Sequence, residues 1–464
     1  MICGGALLPH PPIMVDGIGK PDDLSKVRQT REAVGEIDRI FAELRPDTLV
    51  ILTPHGTVYS DAIIIYEDSK LTGSLRRFGL SRSFCWENDL ELAEAITKIS
   101  NEAGLPVHLL DYDVVSQGRG GEVLDHGVLV PLSFFDPDWV TGVKLVVIPT
   151  RFLPFEELYR FGKIIDEAAE AVDRRVAVIA SGDLSHCLQD GAPVRYNPKG
   201  AEFDRQVVNL LNNAAVEDFF NFDPVLLEQA AECGFRSIIM LLGAFDSCLI
   251  KSKVHSYEGP FGVGYAVASL LPQGPKAGLI EKLFNRRRQQ IETRREHESP
   301  LVSYARGVVE SYVKKLPVSE VAGLEQYKQE RAGVFVSIKK YGQLRGCIGT
   351  IEPTQENVVL EVRQNAISAA TRDPRFDPVT EDELTELIYS VDILKPPEKI
   401  SGIAELDPKH YGVIVTQGKR RGLLLPNLEG IDTREEQVAI AKRKAGISQD
   451  DDVELERFEV IRYQ

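Results

Sequence analysis

The sequence lacks the features that mark secreted and membrane-spanning proteins. It has six cysteines in 464 residues, and no two of them form a CxxC pair, which argues against a secreted disulfide framework. No apolar run approaches the ~20 residues that a bilayer-spanning helix needs. The apolar start meets Pro9 almost at once and has no basic segment before it, so no secretory signal is indicated. We therefore expect a cytoplasmic protein without a membrane segment.

The chain also has fewer basic than acidic residues. The chain has 54 lysines and arginines against 70 aspartates and glutamates, and its formal net charge is −16. An acidic surface repels a phosphate backbone, so no nucleic-acid partner is expected. The hydrophobic fraction of 43% and the charged fraction of 27% are ordinary for a globular protein with true cores. The length predicts two or three domains.

Three apolar segments each run into a turn that carries a histidine. Residues 2–8 lead to His10, residues 48–52 lead to His55, and residues 176–180 lead through Ser181-Gly182-Asp183 to His186. In open α/β sheets, ligands bind outside the carboxyl ends of the strands. If these strands are parallel, all three histidines lie at that one edge, which predicts a functional site there.

The alternation of strand and helix patterns predicts the fold class. Residues 1–271 are expected to form an α/β domain with a mostly parallel or mixed sheet flanked by helices. Within it, residues 22–44 read as one helix and residues 254–271 as one closing strand. Residues 272–298 are interrupted by proline and glycine and then become highly charged, which predicts a solvated linker. Residues 299–464 are expected to form a smaller α+β domain.

The histidines at the sheet edge suggest a metal site. Two neutral imidazoles and one carboxylate can hold Fe(II) on one face. His10 and His55 are the candidate imidazoles, and Glu258 is the favoured carboxylate because its segment is expected to return to this edge. His255 is the competing third ligand.

Two further histidines are candidates for catalysis. An imidazole titrates near neutrality, so His186 can act as a general acid and base, or as a fourth ligand, with Asp183 to orient it. His126 can position a substrate oxygen. A serine hydrolase is a weak option, because Ser181 and Ser185 lack the GxSxG elbow of many serine hydrolases.

These motifs carry a family resemblance. His10 in LLPHPP, His55 in TPHG, Asp125-His126-Gly127 and SGDLSH at 181–186 resemble the class III extradiol ring-cleavage dioxygenases of the subunit-B type and the related Memo proteins. The resemblance covers residues 1–271. It implies that His10 and His55 hold Fe(II) with a late glutamate, and that His186 and His126 serve as acid/base and substrate contact. It also implies O2 and a catechol-like or chelating aromatic as substrates.

The third ligand distinguishes the two kinds of relative. Memo-type relatives have a cysteine in that role. The corresponding stretch here contains no cysteine, only His255 and Glu258.

A second resemblance covers residues 299–464. Leu344 to Gly349 (LRGCIG) and Thr371 to Phe376 (TRDPRF) resemble the AMMECR domain family, whose fold is α+β and whose activity is not established. From the residues themselves, Gly346 and Gly349 permit tight turns or close approach of a ligand. Arg345 is a candidate for binding a carboxylate or phosphate. Cys347 is either a nucleophile or, as we favour, a buried strand cysteine.

Three functions remain open at this point. The first is an Fe(II)-dependent extradiol-type dioxygenase with an accessory AMMECR domain. The second is a metal-binding modification factor, because both units in one chain resemble the AmmeMemoRadiSam system protein A family, which implies a radical S-adenosylmethionine enzyme and a Memo-like protein as partners. The third is a Zn(II) hydrolase that uses the same ligands. The sequence leaves a homo-oligomer open.

Overall fold

The computed structural model describes residues 1–57, 59, 62–111, 122–150, 153–428 and 430–464. The chain divides into two compact units, Met1–Phe284 and Asn285–Gln464. The division falls inside the segment 272–298 for which a linker is predicted. That segment is largely regular, because the last strand of the first unit runs to Pro275 and a helix occupies Ile280–Glu296.

The described part of the first unit contains ten strands. They are β1 (Ile2–Leu8), β2 (Thr48–Thr53), β3 (Ile63–Tyr66), β4 (Lys70–Ser74), β5 (Ser83–Glu87), β6 (Val107–Leu110), β7 (Lys144–Pro149), β8 (Val176–Ser181), β9 (Cys248–Glu258) and β10 (Tyr265–Pro275). Six of them form one sheet in the order β7-β2-β8-β1-β10-β9. The first four are mutually parallel, whereas β10 runs antiparallel to both β1 and β9. The predicted mixed sheet is confirmed.

Among the described residues, nine helices flank this sheet. They are α1 (Pro21–Lys26), α2 (Arg28–Leu44), α3 (Leu90–Glu102), α4 (His126–Leu132), α5 (Pro137–Val140), α6 (Phe155–Ala171), α7 (Pro198–Asn212), α8 (Pro224–Ala230) and α9 (Phe235–Gly243). Every residue of β2 and β8 is buried, because helices cover both faces of the sheet. α3, α6, α7 and α9 pack on one face, and α2 and α4 pack on the other.

Two predicted elements differ from the structure. The helix predicted for residues 22–44 is two helices, because Val27 leaves the helical conformation (φ −107°, ψ 22°) where α1 ends. The single strand predicted for residues 254–271 is the hairpin β9–β10. The chain reverses around Gly262, whose φ of +80° favours glycine. Hydrophobic periodicity alone does not reveal these reversals of direction.

The second unit is built from antiparallel strands and a few helices. Its elements, together with the helix that leads into it, are α10 (Ile280–Glu296), α11 (Pro300–Lys314), β11 (Val334–Lys340), β12 (Gln343–Gly349), α12 (Val358–Thr371), β13 (Leu387–Leu394), β14 (Glu398–Ile400), β15 (Gly412–Gln417), β16 (Arg420–Leu424), α13 (Arg434–Lys444), β17 (Glu454–Phe458) and β18 (Val460–Tyr463). One four-stranded sheet, β12-β11-β13-β18, packs against α11 and α12, and a second, β14-β17-β15-β16, packs against α13. The predicted α+β class is confirmed. In the described part of either unit, no helix is long and apolar enough to cross a membrane.

Candidate metal centre

The carboxyl ends of β1, β2 and β8 lie side by side in the sheet. Leu8 pairs with Ser181 and Leu52 pairs with Ala180, so the segments that follow these strands leave the sheet at one edge. His10 follows β1, and His55 follows β2. The parallel register therefore brings together side chains that are far apart in sequence.

His10 and His55 converge at this edge. Their Nε2 atoms are 3.2 Å apart. Nδ1 of His10 lies 2.9 Å from Oγ of Ser181, and that hydroxyl donates its own hydrogen to the carbonyl of Gly127. The hydroxyl must then accept from His10, so Nδ1 of His10 carries the ring proton and Nε2 presents its lone pair to His55. Two imidazoles on one cation at bonds of ~2.1 Å place their nitrogens ~3.0–3.4 Å apart, which fits the observed distance.

Both imidazoles are held in the neutral form that binds metal. His10 is only 3% exposed, and burial lowers its pKa well below the usual value. Burial also lowers the pKa of His55. Because a metal ligand must be deprotonated, no proton has to be displaced from either ring at neutral pH.

The carboxylate of Asp183 and the thiol of Cys233 both lie near Nε2 of His10. Oδ2 of Asp183 lies 3.9 Å from Nε2 of His10 and 3.9 Å from Nε2 of His186. Sγ of Cys233 lies 3.7 Å from Nε2 of His10. Burial raises the pKa of Asp183 to about 6 and that of Cys233 well above its usual value. Burial disfavours the ionised forms of both side chains. A divalent cation bound next to them would stabilise the carboxylate and the thiolate by its positive charge.

Two glycines bring Cys233 to the histidines. Cys233 lies in the loop between α8 and α9, where the backbone amide of Gly234 donates to the carbonyl of Asp183 at 2.9 Å. A Cβ atom on Gly182 would lie 2.2 Å from Cα of Gly234, so the two loops pack backbone against backbone. The sequence reasoning missed Cys233 because no apolar strand precedes it. A Cys-Gly pair just before a helix is the signal that marks it.

The two predicted third ligands, Glu258 and His255, contact other groups in the structure. Glu258 does return to the active edge of the sheet, but it ends β9, which lies two strands from β1. Its Oε1 accepts hydrogen bonds from the amide (2.8 Å) and hydroxyl (2.6 Å) of Thr30, near the start of α2, where the helix dipole favours a carboxylate. His255 is bonded through both ring nitrogens, to Glu36 and to Ser269. Within the described residues, the groups with ligand atoms within 4.8 Å of one another are His10, His55 and His126, and His10, Asp183 and Cys233.

His186 and His126 flank the two converging imidazoles. His186 donates from Nδ1 to the carbonyl of Ala231, so its Nε2 is the acceptor that faces Asp183 and, at 4.0 Å, Cys233. The ring centroid of His126 lies 4.3 Å from that of His55. Arg77 donates to its Nδ1 at 2.6 Å, which makes Nε2 of His126 the protonated nitrogen and a donor. Burial lowers the pKa of His126 to about 3.

The LRGCIG motif of the second unit is occupied by internal contacts. The guanidinium of Arg345 donates to both carboxylate oxygens of Glu383 (3.0 and 2.9 Å) and to the carbonyl of Asp377 at 2.8 Å. Arg345, the candidate for binding a carboxylate or phosphate, therefore binds a carboxylate of its own chain. Burial raises the pKa of Cys347, and its Sγ accepts a hydrogen bond from Ser337 at 3.2 Å. This fits the favoured view of Cys347 as a strand cysteine.

Gly346 and Gly349 serve packing. A Cβ atom at Gly346 would lie 2.2 Å from the carbonyl oxygen of Ala369 in α12, and one at Gly349 would lie 2.2 Å from the ring of Phe335. Their close approach is thus to the protein's own helix and aromatic ring. In this motif the glycines let α12 and Phe335 lie directly on β12.

Comparison with protein families identifies both units. Residues 4–268 match the family model described as the catalytic LigB subunit of aromatic ring-opening dioxygenase. The chain belongs to this family. Residues 302–464 match the AMMECR1 family model. The first unit is therefore a LigB unit and the second an AMMECR1 unit, which confirms both sequence resemblances.

Relatives match different shares of the chain. Protein CA_C1420 of Clostridium acetobutylicum is 38% identical over 465 residues, which is 99% of this chain and 99% of the relative. A Thermotoga maritima protein is 56% identical over 171 residues, or 36% of this chain and 98% of its own length. Among solved structures, uncharacterized protein PH0010 from Pyrococcus horikoshii is 33% identical with a TM-score of 0.33, and covers 35% of this chain and 88% of its own.

Proposed function

We propose that the LigB unit is a ferrous-iron-dependent dioxygenase of the extradiol type, acting on a catechol-like or otherwise chelating small molecule. The observation that carries the proposal is the pair of neutral imidazoles of His10 and His55, 3.2 Å apart, with the buried carboxylate of Asp183 3.9 Å from Nε2 of His10. Two histidines and one carboxylate make the facial set of ligands that non-haem Fe(II) oxygenases use. The AMMECR1 unit has an accessory role in this proposal.

The ligand set is His10, His55 and Asp183, with Cys233 adjacent. Bound ferrous iron would supply the redox chemistry that dioxygen requires. The family match over residues 4–268 supports this assignment, because the matching model describes ring-opening dioxygenases. Asp183 takes the place of the predicted Glu258 because its Oδ2 faces Nε2 of His10 at 3.9 Å.

His186 and His126 are suited to bind a diol substrate and to accept its proton. Nε2 of His186 is an acceptor, since Nδ1 is bonded to the carbonyl of Ala231, and it can take the proton of a substrate hydroxyl as general base. Nε2 of His126 is a donor, since Arg77 occupies Nδ1, and it can hold a substrate oxygen in place. The two nitrogens thus have opposite hydrogen-bonding roles on either side of the ligand set.

The test is metal content measured together with oxygen uptake. The full chain is purified anaerobically, reconstituted with Fe(II), and assayed over a panel of catechols. We expect about one iron per chain and substrate-dependent oxygen uptake, both lost in His10→Ala and His55→Ala. His108→Ala is the matched control, because His108 is an exposed histidine on β6. Iron binding without uptake on any catechol would refute the dioxygenase proposal, and absence of metal binding would refute the ligand set as well.

A second candidate function follows from Cys233. A thiol 3.7 Å from Nε2 of His10 makes a soft donor available, and thiolate with imidazole favours Zn(II) or Cu(I) over ferrous iron. With such a metal the site would serve a metal-binding modification factor acting with a radical S-adenosylmethionine enzyme, or a Zn(II) hydrolase. Tight zinc binding without oxygen uptake, together with recovery of that enzyme in a pull-down, would favour the modification factor. Hydrolysis by the zinc form would favour the hydrolase.

A further inference from the structure

A cavity of about 400 Å³ lies between α2 and the strands β9 and β10, apart from the proposed metal ligands. Its lining includes Glu36, Arg39, Lys251, Lys253, His255 and Ser269. Ser269 pairs in register with Ala6 of β1, four residues before His10. None of the cavity side chains belongs to the ligand groups at the sheet edge that the described residues form. The dioxygenase proposal leaves this cavity without a role.

Three of the lining side chains form a hydrogen-bonded chain. Oγ of Ser269 lies 2.8 Å from Nε2 of His255, and Nδ1 of His255 lies 2.6 Å from Oε2 of Glu36. The carboxylate can only accept, so Nδ1 of His255 carries the proton and Nε2 accepts from the serine hydroxyl. The bond from His255 lowers the pKa of Glu36, which keeps the carboxylate charged. A nucleophile, a base and an orienting carboxylate in this order are the geometry of a serine-hydrolase triad.

A break in strand register places the histidine. Val267 pairs with Ser256 and Ala268 pairs with Val254, so His255 is the extra residue of a bulge in β9. Bulges re-aim a side chain and occur often beside active sites. The side chain of His255 is turned between α2 and β10, where it is only 4% exposed and still lines the cavity. A regular strand without a bulge could also bury a histidine side chain.

The charges of the cavity indicate the substrate class. Lys251 and Lys253 lie on β9 and Arg39 lies on α2, facing the two carboxylates of Glu36 and Glu43. Three cations against two carboxylates leave one positive charge in excess, and Lys253 Nζ lies 3.8 Å from Oε2 of Glu36. Such a lining favours a small ester that carries a negative charge.

We infer that Ser269, His255 and Glu36 form a second, hydrolytic site for small anionic esters. Ser269 Oγ bonds to the ester carbonyl carbon while its proton passes to Nε2 of His255. The carbon–oxygen bond to the alcohol then breaks, and the alcohol leaves with that proton. Water adds to the acyl-serine by the same route, which releases the carboxylic acid and restores the serine. Glu36 is a positioning residue that holds the imidazole in the correct tautomer.

The test is covalent labelling of the full chain with a fluorophosphonate, followed by peptide mapping. We expect phosphonylation at Ser269, abolished in Ser269→Ala and His255→Gln. Glu36→Gln is expected to slow labelling by about 10-fold or more at an unchanged melting temperature, because a purely structural carboxylate would not change the labelling rate. Ser252→Ala, on the other face of β9, is the matched control and should label like the wild type.

Hydrolysis and the metal-site variant complete the test. Labelled wild type should lose hydrolysis of a p-nitrophenyl ester of a dicarboxylic acid, and His10→Ala should keep both labelling and hydrolysis. That variant separates this site from the proposed dioxygenase, since it loses only the latter. An intact wild-type chain that fails to label at Ser269 under forcing reagent would overturn the inference, as would equal hydrolysis by Ser269→Ala.

Discussion

The hydroxyl of Ser181 sets the tautomer of His10. Oγ of Ser181 lies 2.9 Å from Nδ1 of His10 and is itself a donor to the carbonyl of Gly127, so it accepts the Nδ1 proton. Ser181 ends β8 and His10 follows β1, two strands that are adjacent and parallel. The sheet thereby supplies both the proposed metal ligand and the partner that orients it, an arrangement typical of metal-bound histidines.

Removing this hydroxyl should weaken metal binding without removing a ligand. In Ser181→Ala, Nδ1 of His10 loses its partner and the ring is free to adopt the other tautomer, so we expect metal affinity to fall by about 10- to 100-fold. Competition titration with a chelating dye measures the change. Ser100→Ala, at a buried serine of α3, is the control and should bind metal like the wild type. Unchanged affinity in Ser181→Ala would refute the tautomer argument.

Cobalt substitution should show whether Cys233 is a ligand. Sγ of Cys233 lies 3.7 Å from Nε2 of His10 and 4.0 Å from Nε2 of His186. If the thiolate binds, the Co(II) form will show a near-ultraviolet sulfur-to-cobalt charge-transfer band that Cys233→Ser abolishes. Cys85→Ser, at an exposed cysteine of β5, should keep the band. A wild-type spectrum without the band would assign the third position to Asp183.

The contact of Gly182 with Gly234 should be essential for the site. A Cβ atom on Gly182 would lie 2.2 Å from Cα of Gly234, so Gly182→Ala must push away the loop that carries Cys233. We expect lower metal affinity and a loss of about 1–3 kcal/mol in the free energy of unfolding, measured by urea denaturation.

A second glycine provides the control for that substitution. Gly35 lies inside α2 with no atom within 4 Å of its ideal Cβ position. Gly35→Ala should therefore stabilise the chain by about 0.5–1 kcal/mol and leave metal binding unchanged. Equal effects of the two substitutions would contradict the packing argument.

Acid should weaken the AMMECR1 unit through Glu383. Burial would raise the pKa of Glu383, but hydrogen bonds from Arg345 and the Thr380 amide, with the charge of Lys340, lower it from 4.5 to about 2. A depressed pKa contributes stability that is fully present above the unfolded value and is lost as pH falls from about 4.5 to about 2. The difference corresponds to at most about 3 kcal/mol.

Hydrogen exchange can measure this pH dependence in the full chain. Exchange of β11 and β13 should be faster in Glu383→Gln than in the wild type at pH 7, and the gap in derived free energy should shrink as pH falls below about 4.5. Glu381→Gln is the control, because Glu381 is an exposed carboxylate in the same turn. A gap that stays constant from pH 7 to pH 3 would show that the ion pair with Arg345 does not carry the effect.

Much of the site was predictable because strands and their ends are local features. The apolar segments before His10, His55 and Ser181 were recognisable, and parallel pairing alone places the residues that follow them at one edge. His186 and His126 join them there, as the structure shows by ring and hydrogen-bond geometry. Their catalytic roles remain predictions.

The sequence could not show contacts in which a side chain's partner comes from another element. The sequence placed Glu258 at the correct edge of the sheet. Its carboxylate, however, accepts hydrogen bonds from the amide and hydroxyl of Thr30, near the amino end of α2. Arg345 was a candidate for binding a carboxylate or phosphate, and the carboxylate that its guanidinium binds is that of Glu383, 38 positions later. A sequence pattern shows which side chain could bind a ligand. It does not show which other side chain contacts it in the folded protein.

The sequence by itself determined most of the strands and helices, the two fold classes and the histidines that meet at the sheet edge. Hydrophobic periodicity and turn residues act over a few positions, so the printed chain contains that information directly. The tertiary structure alone decided that Cys233 and Asp183 face His10, and that a bulge turns His255 toward Ser269. Those contacts depend on how loops and helices pack over distances of tens to hundreds of residues, where close packing rather than local pattern selects the neighbour.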